Sequence, residues 1–429
     1  MSTIPPTAQA AVAAPPAPGR TRRLALVGAL YCTQNLSLGF FTYAFLTIAQ
    51  ARGVPLAAIG AAAGIAMILT CKFLWAPLID RFGSARLGHY RGWLLLTQTT
   101  LAAGLGSLAL FDPAAHFHLL LALFGVLFVL AGTQDIAADA AATRILRPEE
   151  RGTGNGLQSA GACVAQVVGG GVVLIIYQAA GWQAAALTLA AFSLIALPFI
   201  LTWREDLDTS GQPVPRATLR SALAFFRDPR TRLWCLVTIP AYSAGFTVAY
   251  NLVRPMLVDA GWSEARIGLY VVIGGSGVGI LGGIGAGAVI VRLGRRRALV
   301  GLGVLQVVAT VATLPIALGA TQPWLVLAVV ALANAAFAAA FAVIYTVSMD
   351  LTRPESAGTD FTLFATVAQL VMVLAAGLGI AASGAVGFAP VIAVAGLLAA
   401  GGLLFAARTF RLIDLDPDRF GPDAPVAAR

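Results

Sequence analysis

Apolar runs long enough to cross a bilayer recur along nearly the whole chain, at approximately 24–50, 56–79, 92–111, 117–141, 154–178, 182–203, 233–253, 264–291, 298–318, 323–349, 359–383 and 386–407. An α-helix rises about 1.5 Å per residue, so about 20 such residues span the hydrocarbon core. Within lipid a spanning segment must satisfy its own backbone N–H and C=O groups, and a helix does so. The runs therefore predict an all-α membrane protein of twelve transmembrane helices. Composition points the same way: 59% of the 429 residues are hydrophobic and 11% are charged. A soluble domain carries about 25% charged residues. This chain lacks the polar surface to coat a soluble globule.

The connections have turn chemistry, as at Asp112-Pro113, Arg147-Pro148, Gly181-Trp182, Gln322-Pro323 and Arg353-Pro354. The longest, 204–232, holds Asp206, Asp208, Pro213 and Pro215, and is expected to be a solvated linker. It separates an N-terminal six-helix half (24–203) from a C-terminal one (233–407). Residues 1–23 are expected to form a disordered tail, rich in Ala, Pro and Thr and ending in Arg20, Arg22 and Arg23. Residues 408–429 form the C-terminal tail. The first run is too long for the h-region of a cleavable signal peptide and is taken as the first span.

Basic residues orient the helices. Of 28 Lys and Arg, Lys72 lies inside a run, and Arg52, Arg254 and Arg266 fall on one side; the remaining 24 fall on the side that holds both termini. Positively charged loops stay in the cytoplasm, so both termini are expected there, in a bacterial inner membrane. The net charge of +9 thus reflects topology, and no nucleic-acid partner is expected. Cys32, Cys71, Cys163 and Cys235 lack metal-ligand spacing and are expected to be small buried hydrophobes. The tryptophans mostly sit near run ends, as an interfacial belt would place them.

Function classes narrow in the same way. His89, His116 and His118 stand at loops or rims, with no HxxxD or HExxH arrangement for a membrane-embedded transferase. Gly274–Gly287 is glycine-rich, but no Lys-Ser/Thr pair closes a phosphate loop, as a pump carrying its own nucleotide site would need. No cofactor or metal is expected.

The chain repeats itself. RPEERGTGNGLQ from Arg147 and RPESAGTDFTLF from Arg353 match at six of twelve positions: Arg147/Arg353, Pro148/Pro354, Glu149/Glu355, Gly152/Gly358, Thr153/Thr359 and Leu157/Leu363. The offset is close to half the chain, and both copies lie between the fourth and fifth helices of a half. Parallel six-helix repeats of this kind resemble the major facilitator transporters, which bind substrate near the bilayer midplane between their halves. A second element supports the resemblance. Asp80-Arg81-Phe82-Gly83, with Gly88 and Arg91, is similar to the facilitator loop signature, and Val291-Arg292-Leu293-Gly294 is its degenerate copy. In the family the acid of this loop braces the cytoplasmic gate against helix eleven. The resemblance implies that role for Asp80 with Gly358, and for the neighbouring Arg81 and Arg91. A plain loop ion pair of Asp80 with Arg81 or Arg91 is the alternative.

Two further stretches narrow the branch. KFLWAPLIDR from Lys72 and QDIAADA from Gln134 resemble the branch of muropeptide permeases, acetyl-CoA transporters and rhizobactin/pyochelin-type siderophore permeases. RGTGNGLQ from Arg151, Gly169–Gly171 and AGTDFT from Ala357 look closest to the siderophore permeases. The resemblance implies a secondary importer of a bulky, partly anionic, siderophore-like solute, with a muropeptide as the alternative cargo. Carboxylates inside the spans and the lack of a nucleotide site lead to the expectation of proton coupling, and a monomer is expected.

Ionisable groups inside spans are costly and invite a functional reading. Lys72, Asp135 and Asp139 stand out. Asp135 and Asp139 share a helix face by their i,i+4 spacing. Lys72 lies about 12 Å from the inner end of helix two, and Asp135 about 13 Å from that of helix four, at about 1.5 Å per residue. Matched depth predicts a Lys72–Asp135 pair open to the cavity, for which substrate or a proton competes. A permanent structural pair is the plain alternative. Polar and aromatic residues in other runs are candidate lining groups: Gln34, Asn35 and Tyr43 in the first; Gln158 and Gln166 in the fifth. The seventh offers Tyr242, Tyr250 and Asn251, with Arg254 just beyond. Asn334, Tyr345 and Gln369 lie in the tenth and eleventh. Such groups also serve as interhelical glue.

Overall fold

The computed structural model describes residues 19–84, 86–205 and 224–413. The linker residues Asp206, Asp208, Pro213 and Pro215, most of the N-terminal tail and residues 414–429 lie outside the described residues. Among the described residues, ten continuous helical segments are long and apolar enough to cross a membrane. Two of them, Pro148–Thr202 and Gly268–Ala317, contain one residue that no helix admits: Gly181 (φ 83°) and Gly294 (φ 77°). Glycine alone reaches this region without Cβ strain. Dividing those two segments gives twelve helices, in the order the apolar runs predict.

We number them α1 (Arg20–Ala51), α2 (Ala57–Leu74), α3 (His89–Leu110), α4 (Phe117–Ile145), α5 (148–180), α6 (182–202), α7 (Pro229–Asp259), α8 (268–293), α9 (295–317), α10 (Pro323–Leu351), α11 (Pro354–Val386) and α12 (Phe388–Ile413). Several run past the apolar stretch at the arginine-rich end. The first helix starts at Arg20 instead of after the tail, and α12 continues to Ile413. End groups there have polar partners: Glu149 and Glu150 occupy the first turn of α5, and Asp228 accepts a hydrogen bond from the Arg230 N–H at 2.9 Å in front of α7. Such caps satisfy the orphan N–H groups of a helix start.

The α2 segment is wound tightly over Gly64–Leu74, breaks at Trp75 and resumes as Ala76–Arg81. Pro77 stands at the start of the resumed turn, where its missing N–H costs nothing. Apolar cores form within each set of six helices. Phe40, Phe41, Phe45, Phe124 and Phe128 pack in the first set, and Trp234, Val343, Phe364 and Phe410 in the second. The two sets approach closely where α5 meets α8: a Cβ on Gly156 would lie 2.5 Å from the Gly283 carbonyl oxygen. Trp182, Trp203, Trp234 and Trp262 are buried in protein, contrary to the interfacial belt; Trp324 is exposed. Their indole N–H groups explain part of this, since Trp182 donates to the Leu108 carbonyl and Trp234 to Ser348. Of the cysteines, Cys163 and Cys235 are buried, Cys32 is intermediate and Cys71 is exposed, which corrects that expectation.

Candidate functional site

A cavity of about 480 Å³ lies between the two sets of helices, within the range of about 300–1,000 Å³ typical of small-molecule sites. Helices α1, α2, α4 and α5 form one wall, and α7, α10 and α11 the other.

The charged cluster is built from α4 outward. At Gly132 a Cβ would lie 3.1 Å from the Trp75 ring and 3.4 Å from the Lys72 Cβ, so this glycine lets α2 come close. The Trp75 indole donates to Thr133 Oγ1 at 3.1 Å and fixes the contact. Three residues on, Asp135 forms an ion pair with Lys72 Nζ and accepts a hydrogen bond from Gln34 Nε2 of α1. Both members of the pair are mostly buried and line the cavity. One turn further along α4, Asp139 accepts hydrogen bonds from Tyr31 OH and Gln158 Nε2, each at 3.0 Å. Tyr31 and Gln34 thus form two rungs from α1 to Asp139 and Asp135, in the register of antiparallel helices. The matched-depth pair is present, and Asp139 is 1% exposed.

On the opposite wall, Tyr250 OH donates to Asn334 Oδ1 at 3.2 Å, while Asn334 Nδ2 donates to the Val330 carbonyl. Asn35, Tyr43, Tyr345 and Gln369 line the cavity, and Gln166 accepts a hydrogen bond from Ser276 Oγ at 3.4 Å. Three expected lining residues lie outside the wall. Tyr242 is buried and donates to the Leu299 carbonyl of α9 at 2.9 Å. Asn251 donates to Thr247 O of its own helix, and Arg254, one turn beyond Tyr250, is exposed. Their shared helix misled the expectation, because only part of α7 faces inward. Thr70, Ser159, Phe337, Phe341 and Thr366 also lie on the wall, without having been expected there. The four-residue spacing of Phe337, Phe341 and Tyr345 was the available signal.

At the arginine-rich end the two sets are joined by hydrogen bonds. Asp80 Oδ1 accepts from the Gly358 N–H at 3.0 Å, and Oδ2 from the Thr359 N–H at 2.7 Å and from Thr359 Oγ1 at 2.6 Å. Tyr90 OH also donates to Asp80, at 2.7 Å. A carboxylate here faces the positive end of the α11 dipole. Neither neighbouring arginine pairs with it. Arg81 is exposed, with its guanidinium 5.4 Å from the Phe82 ring. Arg91 donates to the Ile200 and Leu201 carbonyls, capping the end of α6, which corrects its assignment to the gate. At the repeat-related position, Val291 lies against α5: a Cβ on Gly152 would meet Val291 Cγ2 at 3.2 Å. A different polar contact joins the sets beside it. Asp350 of α10 accepts from Arg151 of α5 at 2.8 Å and from Arg295 of α9 at 2.9 Å.

Comparison with known proteins places this geometry. The family model of the Major Facilitator Superfamily matches residues 25–376. The chain belongs to the Major Facilitator Superfamily. Among solved structures, this facilitator resembles the FucP transporter in its outward conformation (TM-score 0.68, 14% identity, 90% of this chain and 98% of that one). It also resembles a bacterial homologue of the iron transporter ferroportin in an outward-facing state (TM-score 0.65, 16% identity, 92% and 99%). These likenesses concern the fold. By sequence it is similar to the anhydromuropeptide permease of Escherichia coli K12, 30% identical over 260 residues, covering 59% of this chain and 52% of that protein. A putative AmpG 4 transporter of Rickettsia conorii is 23% identical over 268 residues, 59% of this chain and 64% of that protein. The chain thus aligns with about half the length of the first of these relatives. Its family and its apolar helical segments make it a multi-pass membrane transporter.

Proposed function

We propose that this facilitator imports a muropeptide-like solute, an amino sugar bearing a short acidic peptide, across a bacterial inner membrane with a proton. The arginine-rich end faces the cytoplasm in this reading, as the charge bias of the loops favours. The carrying observation is the cluster of Lys72, Asp135 and Asp139 on the cavity wall. The cluster holds two carboxylates and one ammonium, with Lys72 paired to Asp135 and Asp139 held by Tyr31 and Gln158. An uncompensated charge in a low-dielectric site is costly, so taking up one proton brings the cluster to neutrality. An anionic solute that engages Lys72 releases Asp135, and the released carboxylate then favours a proton. Asp80 with Gly358, and Asp350 with Arg151 and Arg295, form the cytoplasmic gate that parts in alternating access. The two helix sets act as the rocking halves, joined by the 204–232 linker.

The sequence favoured a siderophore as cargo; similarity to an anhydromuropeptide permease over 260 residues moves the muropeptide ahead of it. The test is uptake of labelled anhydromuropeptide into proteoliposomes, with and without a proton gradient, and with a ferric siderophore as competitor. Gradient-dependent uptake that the siderophore does not inhibit is expected. Uptake unaffected by collapse of the gradient would overturn proton coupling, and siderophore uptake without muropeptide uptake would overturn the cargo.

A further inference from the structure

The cavity wall formed by the last six helices carries a column of aromatic rings. Phe337, Phe341 and Tyr345 follow at four-residue intervals on one face of α10, with centroid separations of 4.7 and 5.4 Å. Tyr250 of α7 stacks on Phe337 at 4.6 Å with the planes 16° apart. All four are partly exposed and border the cavity. The facing wall holds the only lysine of the chain and its two carboxylates.

Unpaired polar atoms lie among these groups. Gln34, Gln158, Ser159 and Thr366 border the cavity, and their atoms Gln34 Oε1, Gln158 Oε1, Ser159 Oγ and Thr366 Oγ1 are buried without a hydrogen-bond partner among the described residues. Buried polar atoms without partners are uncommon and need an explanation. Two are carbonyl oxygens, which only accept, and two are hydroxyls, which do both. A ligand with several O–H or N–H donors around its rim suits them. A pyranose ring has such a rim and also an apolar C–H face that lies flat on an aromatic ring. A planar phenolic ring offers the flat face but few rim donors.

We propose that the site is bipartite: the ring column Tyr250–Phe337–Phe341–Tyr345 holds the saccharide, and Lys72 holds the carboxylate of the attached peptide. One ligand thereby bridges the two sets of helices. This rests on the muropeptide reading given above. Lys72 exchanges Asp135 for the ligand carboxylate, so the peptide end is read by charge and the sugar end by stacking.

The test uses the purified full chain and three probes: an intact anhydromuropeptide, N,N′-diacetylchitobiose as an uncharged sugar, and the sugar-free stem tripeptide. Each is measured by displacement of labelled anhydromuropeptide. Phe337→Leu keeps apolar bulk and removes the ring. It is expected to weaken the intact ligand and the uncharged sugar about tenfold and leave the tripeptide unchanged, with Phe341→Leu behaving alike. The neutral double variant Lys72→Gln/Asp135→Asn avoids an orphaned charge. It is expected to weaken the tripeptide and the intact ligand and leave the sugar unchanged. Tripeptide binding by Phe337→Leu reports that the variant is folded. If either variant changes both fragments alike, or neither, the bipartite assignment falls while the cargo reading stands. If the wild type binds no sugar-bearing probe, the cargo reading and this inference fall together.

Discussion

Asp80 at the end of the second helical stretch receives two backbone N–H groups near the start of α11, those of Gly358 and Thr359, together with the Thr359 hydroxyl. The contact joins residues 278 positions apart and is buried. Asp80→Ala leaves those N–H groups without a partner, at a cost of about 1–3 kcal/mol for each. The expected outcome is a shift toward the state open at the arginine-rich end, visible as increased labelling of a cysteine introduced near Thr359. Gly358→Ala should act in the same direction, since its Cβ would lie 2.6 Å from Asp80 Oδ1. Unchanged labelling in both variants would remove Asp80 from the gate.

The Lys72–Asp135 pair predicts a different pattern. Losing one partner of a buried pair costs about 3–5 kcal/mol when the pairing is tight. Lys72→Ala and Asp135→Asn should each abolish uptake while leaving much of the protein in the membrane. Lys72→Arg should restore little, because a planar guanidinium does not replace a compact ammonium between α2 and α4. Full uptake by Lys72→Arg would show that only the charge matters.

Asp139 is held by Tyr31 and Gln158 rather than by a cation. If it carries the coupling proton, Asp139→Asn loses uptake driven by a pH gradient and keeps exchange of labelled for unlabelled solute. Equal loss of both activities would assign Asp139 to substrate binding or folding.

Val291 stands where the repeat calls for an acid, beside Gly152 at the start of α5. Val291→Asp supplies a carboxylate at a helix N-terminus, an arrangement worth about 0.3–1 kcal/mol. It should favour closure at the arginine-rich end, raise thermal stability slightly and slow turnover. Faster turnover would contradict the gate assignment.

Asp350 serves two arginines, Arg151 and Arg295. Asp350→Ala leaves both without this carboxylate. It should lower the midpoint of thermal unfolding in detergent far more than Arg408→Ala at an exposed position of α12. Equal midpoints would mean that solvent already screens the triad.

How much of this was legible depends on the kind of signal. Span number and order came from apolar length alone, and Gly181 was recognisable as a turn. Asp80 and Gly358 were legible because the loop after helix two resembles the facilitator signature, whose acid meets helix eleven, and Lys72 with Asp135 because depth follows from residue count. Rotation about a helix axis was not legible. The four-residue spacing of Phe337, Phe341 and Tyr345 marks one face of α10, but core residues share such spacing, and nothing in the sequence showed that Tyr242 turns toward α9. The partners of Asp139 escaped for the same reason: Tyr31 and Gln158 meet it only through the packing of three helices.

The single-residue joint at Gly294 couples events that a longer loop would keep apart. Ile290, just before it, fills the space beside Gly152, and Arg295, just after it, grips Asp350 and the Pro148 carbonyl. With no slack between α8 and α9, withdrawing Ile290 from α5 also pulls Arg295 off its carboxylate. If this end parts as proposed, the apolar plug and the ionic clasp release together, as a latch with two positions and not as a zipper that opens contact by contact.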